Sequence, residues 1–187
     1  MHSLADGTEI EIRRPTGDDA LAWDEFVARE QGATYDALPD AFVADAIARA
    51  RERADERRKQ FDEPGTSVRR LATSGGEIVG VAEVGDGPPE WEVGLGVEGI
   101  GYARELVRLY LAPAAKGSGL ATALLREVTN GEGLYLWILD GNDRAHRFYS
   151  KHGFIDVDER VTADDSWGGM TMHRMVRPSR LATARVG

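Results

Sequence analysis

The chain has 187 residues, 42% hydrophobic and 29% charged, with 32 acidic against 23 basic side chains and a formal net charge of −9. That length suits one domain with a full core and is short for two. An acidic balance disfavours nucleic acid as a partner, zero cysteines exclude disulfides, thiolate metal ligation and a cysteinyl acyl intermediate, and no apolar run approaches the roughly 18 residues of a membrane span.

Met1 to Gly7 have neither a basic start nor an apolar segment followed by small residues, so a cytoplasmic location is expected. Glu9-Ile10-Glu11-Ile12-Arg13 alternates as a half-buried strand does, closed by Pro15 and Gly17. Asp18 to about Glu30 sets Trp23, Phe26, Val27 and Glu30 at helical spacing. Pro39 suits the first turn of a second helix running to about Gln60, whose later part is a mixed-sign, solvated face with an Asp55–Lys59 pair one turn apart. Val68 to Ala72 and Glu77 to Val84 predict a hairpin about Ser74-Gly75-Gly76. Asp86 to Gly101 is irregular. Its Gly94-x-Gly96-x-x-Gly99 has the spacing of a dinucleotide fingerprint but follows Pro88-Pro89 and precedes a strand, so it is set aside in favour of a flexible loop.

Tyr102 to Thr129 reads as strand, proline stop, Gly-rich turn and helix, meeting at Lys116-Gly117-Ser118-Gly119. Amides at a helix start converge there, and the helix dipole adds positive potential, which together suit a phosphate. Leu134 to Leu139 is a nearly continuous apolar run, expected of a strand covered on both faces. Asn142 can cap a helix through Lys151 that Gly153 stops; strands at Phe154 to Val157 and Met170 to Val176 follow. The order β-α-α-β-β-β-α-β-α-β-β predicts a mixed α/β fold.

Two of these stretches resemble motifs of the GNAT superfamily of acyl-CoA-dependent N-acyltransferases. Lys116-Gly117-Ser118-Gly119-Leu120-Ala121 is similar to the family's [R/Q]-x-x-G-x-[G/A] loop, with lysine in place of the usual Arg or Gln. Asn142 to Phe154, N-D-R-A-H-R-F-Y-S-K-H-G-F, resembles the family's N-x-x-A-x-x-F-Y-x-x-x-G-F segment. The likeness is close over Tyr102 to Val157; the first 100 residues match in element order alone.

The resemblance implies a central mixed, mostly antiparallel sheet splayed between the family's fourth and fifth strands and flanked by about four helices. It implies a single N-acetyltransferase domain over 1–187, with an acceptor-side half at about 8–101, an acetyl-CoA-binding half at about 102–176 and a loose tail. Lys116, Gly117, Ser118, Gly119, Leu120, Ala121 and Thr122 would cradle the diphosphate of acetyl-CoA. The backbone of Leu109, Tyr110 and Leu111 would bond pantetheine, as would Asn142, whose helix-capping role is compatible. Tyr149 is the expected general acid for the leaving thiolate of a tetrahedral intermediate, and half-buried packing on Phe148 and Phe154 is its structural alternative. Glu105 is the expected base that deprotonates a primary amine, with Glu92 and Glu98 weaker candidates. The acceptor is a small-molecule or peptide amine, and relatives are often homodimers. No metal is expected: His146 and His152 lie on different faces of one helix, and no HExxH or Ser-His-Asp signature is present. A noncatalytic acyl-CoA-binding sensor is the alternative function.

Overall fold

A computed structural model describes residues 2–157 and 160–179. In chain order the strands and helices are β1 (His2–Ser3), β2 (Glu9–Arg13), α1 (Ala20–Gly32), α2 (Phe42–Glu52), α3 (Ala54–Asp62), β3 (Val68–Ser74), β4 (Glu77–Asp86), α4 (Glu90–Gly94), β5 (Arg104–Leu111), α5 (Leu120–Val128), β6 (Leu134–Leu139), α6 (Asp143–Lys151), β7 (Ile155–Asp156), β8 (Val161–Thr162) and β9 (Thr171–Arg177). Single 3-10 turns precede α1, α5 and β9. The architecture is mixed α/β with a mostly antiparallel sheet. Six α-helices are present among the described residues rather than about four: the second predicted helix divides at Arg53, where ψ rises to 17°, and α4 forms inside the stretch expected to be irregular. Residues 180–187 of the expected loose tail lie outside the described residues. No helix among those described is long and apolar enough to cross a membrane.

The chain forms two compact units. One comprises the residues up to Glu83 together with Arg108–Val128, with strand order β1-β2-β3-β4-β5. Its core is the face that helical spacing singled out in α1: Ala20, Trp23, Phe26 and Val27 pack with Phe61, Leu71 and Val81. Trp23 meets Phe61 edge-on, with ring centroids 5.4 Å apart. Phe61 belongs to α3, so the break at Arg53 redirects a helix that would otherwise run straight. The charged face of α2 and α3 is answered by acids ahead of and along α1: Arg51 bonds Glu25 at 2.9 Å, Arg57 bonds Asp24 at 2.8 Å, and Arg58 contacts Asp18.

The other unit comprises Val84–Val107 and the residues from Thr129 onward, with strand order β5-β6-β9-β7 and β8 also on β9. Antiparallel pairing of β6 with β9 runs unbroken from Leu134↔Arg177 to Leu139↔Met172. The parallel ladder of β5 with β6 holds one pair, Glu105↔Tyr135. Five of six β6 residues are buried, as the continuous apolar run predicted. Successive side chains of β9 serve opposite faces. Arg174 meets Glu92 of α4, whereas His173 meets Asp140 and Asp156.

Candidate active site

The loop ahead of α5 is built from a 3-10 turn at Pro113–Ala115 and two glycines at positive φ, Gly117 at 95° and Gly119 at 85°. Among the described residues, a Cβ on Gly117 would meet nothing within 4 Å, and one on Gly119 would meet only His2 Nδ1 at 3.9 Å. Backbone conformation rather than crowding therefore selects glycine here. The same open space leaves room for a ligand against the backbone. Ser118 braces the turn: its hydroxyl donates to the Ala115 carbonyl at 2.7 Å and accepts from the Leu120 amide at 3.3 Å. Lys116, Gly117 and Gly119 are exposed, while Leu120 is buried and Ala121 and Thr122 are half-buried. Leu120, Leu124, Leu125 and Val128 bury one face of α5. Gly80 of β4 lets that face approach, since a Cβ there would stand 3.0 Å from both Leu120 and Leu124.

In the same unit, Leu109, Tyr110 and Leu111 are half-buried near the end of β5. The Tyr110 hydroxyl accepts from Gln31 Nε2 at 3.2 Å, and burial pushes its phenol well above the ordinary range. Arg108, two residues before Tyr110, contacts Glu83 of β4, which also bonds Arg69 at 2.7 Å. Burial would raise the Glu83 carboxyl, but the positive charges of Arg108 and Arg69 outweigh it and hold the acid below its usual range. Glu30 of α1 has the opposite environment. Burial raises its carboxyl against the pull of Lys116 and Arg29, and its Oε2 is buried with no hydrogen-bond partner among the described residues.

In the second unit, Asn142 caps α6 by accepting from the Ala145 amide at 3.1 Å. Tyr149, on the same helix, is half-buried, with ring centroids 5.4 Å from Phe148 and 5.5 Å from Phe154. Glu105 is 6% exposed and stands opposite Tyr135. Burial, a hydrogen bond to Glu92, and the charges of Glu105 and Glu92 together raise the Tyr135 phenol far above its ordinary value, so it serves as a neutral donor.

Glu92 has a role that its place in a Gly- and Pro-rich stretch concealed. It is 3% exposed and receives Arg174 on Oε1 at 2.7 Å, with Tyr135 and Trp137 on Oε2 at 2.6 and 3.0 Å. Arg174 also lies 5.2 Å over the Trp137 ring and donates to the Glu98 carbonyl at 2.7 Å. A carboxylate so engaged would lose three hydrogen bonds on swinging toward a substrate, which disfavours Glu92 as a base. It anchors α4 to β6 and β9 instead. The sequence signal for these networks is a charge inside an apolar strand: Glu83 in β4, Arg108 in β5 and Arg174 in β9. The Gly94–Gly99 spacing begins at the end of α4 and leads toward β5, without the strand before and helix after that a dinucleotide site requires.

A sequence model described as the acetyltransferase (GNAT) family matches residues 27–154. No curated protein matches the chain. Similar solved structures include PaiA N-acetyltransferase from Thermoplasma acidophilum in complex with coenzyme A, at 19% identity and a TM-score of 0.62, over 91% of this chain and 99% of that one. Ribosomal-protein-alanine N-acetyltransferase from Brucella melitensis is 21% identical with a TM-score of 0.60, over 90% of this chain and 99% of that one. YncA from Salmonella typhimurium, with its cofactor acetyl-CoA, is 18% identical with a TM-score of 0.58, over 90% and 93%. At these identities the structural likenesses establish the fold.

Proposed function

Because the chain belongs to the acetyltransferase (GNAT) family, we propose that it is an N-acetyltransferase that moves an acetyl group from acetyl-CoA directly to a primary amine. The observation that carries this reading is the loop ahead of α5, where Gly117 and Gly119 hold positive φ with open space at both Cβ positions. A diphosphate can approach such a backbone at a helix N-terminus. The coenzyme A in the PaiA structure and the acetyl-CoA in the YncA structure support the same class of ligand here.

In this reading Lys116 to Thr122 form the cradle, and the backbone of Leu109, Tyr110 and Leu111 bonds the peptide-like pantetheine as a further strand would. Asn142 bonds pantetheine, a role compatible with its cap of α6. Glu105 accepts the proton that an ammonium must lose before its nitrogen can attack. The free amine adds to the thioester carbon, forming the C–N bond of a tetrahedral intermediate; as that intermediate collapses the C–S bond breaks, the nitrogen releases its extra proton to water, and Tyr149 gives a proton to the departing sulfur. Amide and coenzyme A thiol are the products, with no acyl-enzyme.

The test is a thiol-release screen of acetyl-CoA against amino acids, polyamines, aminoglycosides, lysine peptides and free peptide N-termini, read by mass spectrometry. One acceptor class should gain an acetyl group as thiol appears. The Gly119→Glu variant should lose coenzyme A binding in calorimetry, because a side chain and a negative charge would occupy the diphosphate position. Coenzyme A binding with no thiol release across the panel would make the protein an acyl-CoA sensor. Unchanged affinity in the variant would remove the cradle assignment.

A further inference from the structure

Two histidines and two aspartates, drawn from the end of β6, from α6, from β7 and from β9, converge within the second unit. His173 is 7% exposed and uses both ring nitrogens: Nε2 lies 2.9 Å from Asp156 Oδ1, and Nδ1 lies 2.9 Å from Asp140 Oδ1. His146 sets its Nε2 3.0 and 3.1 Å from the two Asp156 oxygens. One ligand atom from each of His146, Asp156 and His173 lies within 4.8 Å of the others. The acyl-transfer roles assigned above use none of these four side chains.

We propose that His146, His173 and Asp156 bind a single divalent transition-metal ion, best matched by zinc. The donor set is two imidazoles and one carboxylate, which suits zinc and its neighbours and disfavours magnesium and calcium, whose shells are built from oxygen. With metal–ligand bonds of about 2.0–2.2 Å, neighbouring donors in a tetrahedral shell stand about 3.3 Å apart. The contacts that Asp156 makes with both histidines, 2.9–3.1 Å, are already close to that edge length.

An orienting carboxylate is in place as well. Asp140 holds Nδ1 of His173 and so presents Nε2 as the ligand atom, the carboxylate–histidine–metal arrangement of many protein zinc sites. Asp140 is itself fixed, accepting from Thr171 Oγ1 at 2.6 Å and from Arg160 Nε at 2.7 Å. The two aspartates balance the ion's charge, and binding displaces the protons that otherwise bridge the imidazoles to Asp156. His146 and Asp156 have side chains 41% and 51% exposed, which gives the ion a path in and leaves its fourth position to water. The bound ion ties α6 to β7 and β9. His152 stays outside the cluster, with Nδ1 2.8 Å from the Phe148 carbonyl.

The test is calorimetric titration of the full chain, free of any affinity tag and stripped with chelator, with zinc sulfate, together with visible spectra of the cobalt form. One zinc per chain should bind, and cobalt should show the d–d bands of a four- or five-coordinate site. His146→Gln and Asp156→Asn should each weaken zinc binding at least about 100-fold, Asp140→Asn by roughly 10–100-fold, and His152→Gln should leave it unchanged. Circular dichroism verifies that each variant is folded, and zinc should raise the melting temperature of the parent but not of His146→Gln. Absence of zinc binding, or binding that survives both His146→Gln and Asp156→Asn, would overturn the proposal and leave a hydrogen-bonded cluster that only fastens α6.

Discussion

Tyr149 packs edge-on against both Phe148 and Phe154, so its ring is positioned whether or not its hydroxyl acts chemically. Tyr149→Phe removes the oxygen while preserving these ring contacts, and so isolates what the hydroxyl does. If Tyr149 supplies the proton to the leaving sulfur, the variant should lose about 100-fold in kcat with little change in KM and a nearly unchanged melting temperature. Equal turnover would remove the acid assignment. Glu105→Gln checks the other proton: the acid limb of the kcat/KM profile should disappear, and an unshifted profile would pass the role of base to water or another group. Among the acids first considered, Glu92 is the one the geometry withdraws, because Arg174, Tyr135 and Trp137 already occupy its oxygens.

At the scale of elements, α5 connects cradle to core. Lys116, Gly117 and Gly119 are exposed, but Leu120 and Leu124 bury the helix that follows them, and Gly80 sets how closely α5 lies on β4. Gly80→Val should push α5 outward, costing about 1–3 kcal/mol of stability and weakening coenzyme A binding although residue 80 touches no ligand. Urea denaturation and calorimetry on one preparation would read both effects. A loss of stability with full affinity would separate the helix position from the cradle. In α2 and α3 the charged stretch is mostly solvent-exposed, as its pattern predicts, but the pattern does not show that Arg51 and Arg57 bond acids on α1 or that the chain bends at Arg53 so that Phe61 reaches Trp23.

For the molecule as a whole, carboxylates held ionised by arginines set the response to acid. Arg13 bonds both oxygens of Asp19, at 2.8 and 2.6 Å, and lowers its carboxyl to about 2; Glu83 is lowered by Arg108 and Arg69 despite burial. A carboxyl whose folded pKa lies below its unfolded value stabilises the fold fully above the unfolded value, and that contribution fades as pH falls through the folded value. Stability should therefore hold from neutral pH to about 5 and decline toward pH 2. Asp19→Asn should remove about 1–2 kcal/mol of the neutral-pH stability, allowing for solvent screening, and the difference from the parent should shrink to a small remainder near pH 2. Urea midpoints at both pH values test this. Glu30 works in the opposite sense, since its raised carboxyl is better tolerated when protonated, and it softens the decline.

Local rules sufficed for much of the architecture. Alternation marked β2, helical spacing marked α1, the Gly-rich turn marked the start of α5, and Asn142 marked the start of α6, because each signal depends on φ preferences and side-chain periods within a few residues. The same locality made the family resemblance legible from Lys116 to Ala121 and from Asn142 to Phe154. Tertiary structure decided which charges meet: Glu83 with Arg69, 14 positions away, Glu92 with Arg174, 82 positions away, and His173 with Asp140 and Asp156, 33 and 17 positions away. A sequence pattern announces that a charge in an apolar strand must find a partner. Strand register and packing choose the partner, since only they bring distant side chains within the 3 Å or so over which a buried charge is satisfied.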